Sequence, residues 1–162
     1  MSETTQAWFV AERARAMAIV HLTRRDDLVV SKAGQGVGLE FIVTIQNKLG
    51  EPSVRQFGVF LRGTKNAVTE ASLDESLRPE MQSFFRMGQF PYPVCLFHFS
   101  MDGDQGYFTW VAEPAILDGG PKLLMHDASH CRKLGKATLD EIVEKVDGWY
   151  DAFFRQIAVK AS

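Results

Sequence analysis

The run VCLFHF, Val94 to Phe99, constrains this chain more than any other stretch. A strand with one wet face alternates apolar and polar side chains, whereas this one is apolar at every position but His98 and must be covered on both faces. Such a strand needs a sheet around it and further layers over it. Helical patterns supply the layers. Ala7, Ala11, Ala14, Ala18 and Leu22 recur at spacings of three and four, which predicts a helix from Thr5 to Thr23, with Ser2, Thr4 or Thr5 as its cap. Leu73 to Met87 reads as a second helix, with Asp74 and Glu75 suited to its N-terminal dipole. Thr138 starts a third, with Glu141 at the capping-box position and Ile142, Val146, Trp149 and Phe153 as its buried stripe.

Strands fill the intervals. Leu28–Ser31, Leu39–Ile45 and Val54–Arg62 form a predicted antiparallel meander, with NKLGEP as a hairpin turn. Val94–Phe99 and Tyr107–Val111 flank the hairpin signal MDGDQG, and a loop-rich segment around Gly119, Gly120 and Pro121 follows. The expected fold is a single α/β (α+β) domain, a central mixed β-sheet flanked by helices, over residues 7–158 behind a polar tail, 1–6.

Composition narrows the function classes. The chain has 162 residues, enough for one domain with a substantial core, and is 46% hydrophobic and 23% charged. Eighteen basic against 20 acidic residues give a formal charge of −2, unlike the basic balance of most nucleic-acid binders. The polar, acidic start has no signal-peptide pattern, and no apolar run approaches the ~20 residues of a membrane span, so no membrane partner is expected. Cys95 and Cys131 lie far apart and read as free thiols of a reducing cytosol.

The stretch QFGVFLRGT, Gln56 to Thr64, is a buried strand that ends on a charge, Arg62. Taken in order, AERARAMAIVHLT, GVGLEFIV, FGVFLRGT, FPYPVCLFHF, YFTWVAEPAI and IVEKVDGWYDAF resemble the PD-(D/E)XK nuclease fold over residues 7 to 155. More narrowly, the chain resembles an uncharacterised bacterial domain family related to Mrr-type restriction endonucleases. The resemblance implies a restriction-endonuclease-like core of order α-β-β-β-α-β, cutting phosphodiesters with Mg²⁺ held by hard oxygen ligands. Glu12 matches the family's helix acid, and Glu40 stands where aspartate is usual. Gly36 stands where an upstream aspartate is common, Phe60 where glutamate or glutamine is expected, and Arg62 where lysine is expected. A phenyl ring has no oxygen for a metal, and arginine stays protonated at ordinary pH and cannot act as a base. The resemblance thus implies a pseudo-nuclease with a dismantled site and no cofactor, in which Phe60 is packing and Arg62 pairs with Glu40 or Glu12. Its role would be that of a binding or accessory module for nucleic acid or protein. The alternatives are a divergent Mg²⁺ nuclease of a restriction or defence system, with Glu12 and Glu40 as metal ligands, and a homodimeric interaction module.

Other signals are weaker. The glycines of GQGVG lead into a strand rather than a helix, so they read as a turn and not a phosphate loop. His126, His130 and Cys131 have the spacing of zinc ligands on a helix, but the flanking glycines and lysines favour a loop with incidental histidines. His98 reads as a sheet histidine, and His21 as a cation near a helix end. Arg13, Arg15, Arg24 and Arg25 read as a solvated face diluted by Glu12, Asp26 and Asp27. A nucleic-acid binder would show a basic face through Arg55, Arg62 and Lys65. A dimer would use the aromatic last helix, with Trp149, Tyr150, Phe153 and Phe154 shared between core and surface.

Overall fold

The structure is a computed structural model that describes residues 3–34, 38–47, 49 and 53–161. The chain runs α1 (Glu3–Leu22), β1 (Leu28–Lys32), β2 (Phe41–Ile45), β3 (Gln56–Thr64), α2 (Glu70–Ser76), α3 (Arg78–Met87), β4 (Val94–Ser100), β5 (Gln105–Leu117), β6 (Gly120–Met125), β7 (Arg132–Lys133) and α4 (Lys136–Ala161). The sheet is seven-stranded and mixed, in the order β1-β2-β3-β4-β5-β6, with β7 also on β5. All neighbours are antiparallel except β3 and β4, which run parallel from Gly58↔Val94 to Thr64↔Ser100. Parallel strands cannot be joined by a tight turn, and α2 with α3 provides the crossover. The expected α/β class, with a mixed sheet flanked by helices, is the one observed.

β4 explains its own sequence. All seven of its residues are buried, and its side chains alternate between two apolar layers. Cys95, Phe97 and Phe99 join Phe57 and Val59 beneath α1 (Ala14, Ala18, Leu22) and α4 (Ile142, Val146, Trp149). Val94 and Leu96 join Phe60 beneath α2 and α3 (Leu73, Leu77, Met81, Phe84). The two cysteines are free and fall in opposite layers.

Several boundaries differ from those predicted. The single helix expected over Leu73–Met87 is two, because Pro79 has no N–H for the carbonyl four residues back, and the chain turns at Leu77. Thr69 caps α2 in a reciprocal capping box with Ser72. The segment expected to be loop-rich holds β6 and β7, with Pro121 tolerated because β6 is an edge strand. α4 starts at Lys136, so Thr138 lies inside the helix, and its hydroxyl accepts the Gly135 N–H at 2.6 Å. Glu141 pairs instead with Arg132. Of the α1 stripe, Ala14, Ala18 and Leu22 are buried but Ala11 is exposed. The side chain of Ala7, the cap Ser2 and most of the NKLGEP turn lie outside the described residues.

α1 crosses β3 at Gly63, where a Cβ would sit 2.7 Å from Val10 Cγ1 and 3.3 Å from Ala14 Cβ. Gly63→Val is therefore expected to lower the urea unfolding free energy by about 1–3 kcal/mol through overpacking. Gly148→Ala, in α4 with nothing near its Cβ, is expected to raise it by about 0.5–1 kcal/mol. Equal midpoints for the Gly63 variant and the wild type would show that α1 does not lie this close.

Candidate functional site

Where β3 runs out, a cleft of about 410 Å³ opens against α1. Val10, Ala11, Ala14, Leu61 and Gly63 make it largely apolar, and Arg15, Glu40, Arg62 and Lys65 supply charge. Glu40 arrives just before β2, its backbone N–H donating to Val59 O at 2.9 Å and its carbonyl accepting from Ala33 N at 3.0 Å. That tie to β3 fixes the residue at the cleft although it precedes the strand.

The two acids matched in the sequence do come together, and a third residue holds them. Arg15 Nε donates to Glu40 Oε1, and Arg15 Nη1 donates to Glu12 Oε1. Glu40 is mostly covered, at 22% side-chain exposure, while Glu12 is half exposed. Hydrogen bonds to Glu40 first, and then to Glu12, raise the Arg15 pKa further, so its charge is permanent. Sequence reasoning placed Arg15 on a solvated face. The available signal was its spacing of three from Glu12, which puts both on one helix face.

The β3 residues behave differently. Phe60 is 1% exposed, stacked on Phe84 at 4.2 Å between ring centroids and edge-on to Phe90 at 6.0 Å. This is the packing role expected of it. Arg62 does not pair with Glu40 or Glu12, as the resemblance implied. Its Nε lies 2.8 Å from Glu80 Oε2 of α3, without hydrogen-bond alignment, and its Nη1 donates to Leu61 O. The reason is strand periodicity, since Arg62 shares Phe60's face and that face belongs to α3. His98, Arg62's register partner on β4, is 2% exposed, and its Nδ1 is buried with no hydrogen-bond partner among the described residues. Gly36 lies outside the described residues.

These residues do not fit a hard cation. Mg²⁺ asks for near-octahedral oxygen donors, whereas one guanidinium spans both carboxylates and Phe60 offers no oxygen. Among the described residues, no cluster of three or more His, Cys, Asp or Glu side chains could hold a metal ion. The zinc spacing also dissolves. His126 and His130 meet edge to face at 6.5 Å, but Cys131 turns into the α2–α3 layer. There burial, and then the Asp74 carboxylate, push its thiol up to about 12.

Nor do the described residues form a continuous basic face. Arg55 and Arg62 stand toward opposite ends of β3, and Arg55 is engaged by Asp147 and Asp151. Arg13 pairs with Asp104, and Arg25 with Asp27 and Asp140. On α4, Trp149 and Tyr150 are core, hydrogen-bonded to Lys122 O and Gln56 O, while Phe153 and Phe154 are each 37% exposed. No helix among the described residues is long and apolar enough to cross a membrane. Comparison with family models, curated proteins and solved structures finds no match for the chain.

An acid placed at position 60 should not create a nuclease site. Phe60→Glu places a carboxylate in an aromatic stack and is expected to remove about 4 kcal/mol or more of stability, measured by urea denaturation. A near-neutral effect would show that position 60 opens to the cleft.

Burial lowers the pKa of His98 and of His21; Glu80 opposes the shift at His98, and Arg24 adds to it at His21. The unfolded chain then binds protons more readily than the native one, so stability falls as pH drops below about 6.5. The urea midpoint at pH 5.5 is expected below that at pH 7.5, with a smaller difference in His98→Gln. The lowered carboxylates Asp27 and Glu113 lose their contribution only at lower pH. An unchanged pH dependence in His98→Gln would mean that His98 is not the group involved.

Proposed function

We propose that this chain is a nuclease-like PD-(D/E)XK scaffold that no longer cuts, and that it serves as an accessory module in the reducing cytosol of a bacterial cell. It holds a polypeptide partner in the cleft between α1 and the end of β3. The observation that carries the proposal is Arg15 spanning Glu12 and Glu40. A fixed positive charge stands between the two carboxylates that a nuclease would leave for its metal. The element order α-β-β-β-α-α-β supports the scaffold, and the two free cysteines suit the compartment.

A polypeptide is favoured over a nucleic acid because the basic side chains near the cleft are largely spent. Nucleic-acid affinity comes from cations that release counterions from phosphates. Arg15 is balanced by two acids and Arg62 by Glu80. The apolar floor suits side-chain burial, and the exposed Trp8 lies one turn before Ala11 and Glu12 on α1.

The test combines Mg²⁺ and Mn²⁺ calorimetry, plasmid nicking, and fluorescence anisotropy with labelled single- and double-stranded DNA over a salt series. The expected result is no binding heat, no nicking and no salt-dependent anisotropy. Nicking that disappears in Glu40→Ala would overturn the proposal in favour of a divergent nuclease. Tight anisotropy with a steep salt slope would replace the polypeptide with nucleic acid.

A further inference from the structure

A second pocket, of about 240 Å³, lies away from the α1 cleft, between β5, the segment leading into β7, and α4. Its centre is Glu113, a β5 carboxylate at 22% side-chain exposure. Oε1 meets His126 Nε2 at 2.7 Å, and Oε2 accepts from Lys145 Nζ. Burial alone would raise the Glu113 pKa; the bonds from Lys145 and His126 outweigh it, and the net shift is downward. The carboxylate is ionised, with both oxygens engaged.

An inventory of the remaining groups is lopsided. Lys145 has three N–H donors and gives one to Glu113. Arg132 has five and pairs with Glu141 at 2.9 Å, its guanidinium 5.6 Å from the Phe108 ring centroid. The imidazole of His130 meets His126 edge to face but has no polar partner among the described residues, and neither has the Trp110 indole N–H. The two acids of the pocket are already paired, while donors are left over. Phe108 and Ile142, both buried, add apolar wall beside half-buried Trp110. A pocket with surplus donors, a desolvated anchor and an apolar side is built for an acceptor-rich ligand.

We propose that this pocket binds a small organic oxyanion, a carboxylate or phosphate group on a compact apolar body, with Lys145 and Arg132 as its charge partners. Trp110 N–H and His130 supply further hydrogen bonds, and the body lies along Trp110 and Ile142. The space corresponds to about eight water volumes, which limits the ligand to a small metabolite. Glu113 is a positioning residue that holds Lys145 and His126 at the mouth. The inference stands independently of the nuclease-like reading, since it shares no residue with the α1 cleft.

The test is calorimetric titration of the full chain with inorganic phosphate, phenyl phosphate and benzoate at constant ionic strength set by chloride. Saturable binding of at least one probe is expected, weakened about tenfold or more in Lys145→Met and in Arg132→Gln. Both residues are exposed, so the variants should fold, and circular dichroism checks this. Lys65→Met, in the other cleft, is expected to bind like the wild type. Binding by the phosphate probes alone assigns a phosphate ligand, and binding by benzoate alone a carboxylate. No saturable heat with any probe, or equal weakening by Lys65→Met, would overturn the inference. Glu113→Gln separates positioning from bulk charge: it makes the pocket more positive, yet weaker binding is expected because Lys145 loses its anchor, and tighter binding would deny Glu113 that role.

Discussion

The fold depends on β3 and β4 lying parallel with both faces covered. Phe57, Phe60, Phe97 and Phe99 are each at most 1% exposed, and they are shared between two layers rather than one. Fully burying a side chain of this size contributes about 1.5–3 kcal/mol, so these strands carry a large part of the apolar stabilisation. Their direction dictates the rest. A parallel return must cross one face, which α2 and α3 do, and the opposite face must then be closed by α1 and α4. Where β3 ends, from Arg62 to Lys65 beside the α1 crossing at Gly63, a cleft opens against α1.

Charge is arranged around that frame in closed local sets. Most exposed ion pairs stabilise by only about 0–1 kcal/mol, so Arg13–Asp104 and Arg55–Asp147–Asp151 matter less for stability than for the surface potential they cancel. The Arg15 triad differs because Glu40 is mostly covered. A buried carboxylate without a partner is costly, and removing the guanidinium would leave two acids facing each other. The pocket at Glu113 inverts this pattern, since there the acid is saturated and the cations keep spare donors. Both clefts mix acids and cations in their walls, one lined on the sheet by β3 and the other by β5, with β4 between them.

The layered architecture was legible because burial on two faces writes itself into sequence as an unbroken apolar run, and β4 is that run. The crossover helix was legible as a region but not as two helices, since the break depends on one missing N–H at Pro79. β6 was hidden because an edge strand beginning Gly-Pro has the composition of a turn. At the candidate site, the packing of Phe60 followed from its side chain. The meeting of Glu12, Glu40 and Arg15 needed the crossing of α1 over β3, which only a glycine at position 63 permits. The partner of Arg62 came from α3, whose position is set by tertiary packing, and no local pattern around Arg62 points to it. Glu113 went unnoticed because a lone glutamate in a strand has no spacing rule linking it to Lys145, 32 residues away.

The geometry also says why single substitutions would not create a metal-dependent nuclease site here. A metal needs its ligands to converge on one point. Glu12 and Glu40 turn toward α1, whereas Phe60 turns into the aromatic stack with Phe84 and Phe90. Arg62 reaches the cleft from Phe60's face, and it is drawn back by Glu80. The matched positions thus lie on two sides of β3. Replacing Arg15 would free the carboxylates without supplying a third ligand, and replacing Phe60 would bury an acid among phenyl rings. Both faces of the sheet would have to be repacked together to bring a third ligand to Glu12 and Glu40, so the packing that stabilises the fold also keeps these positions apart.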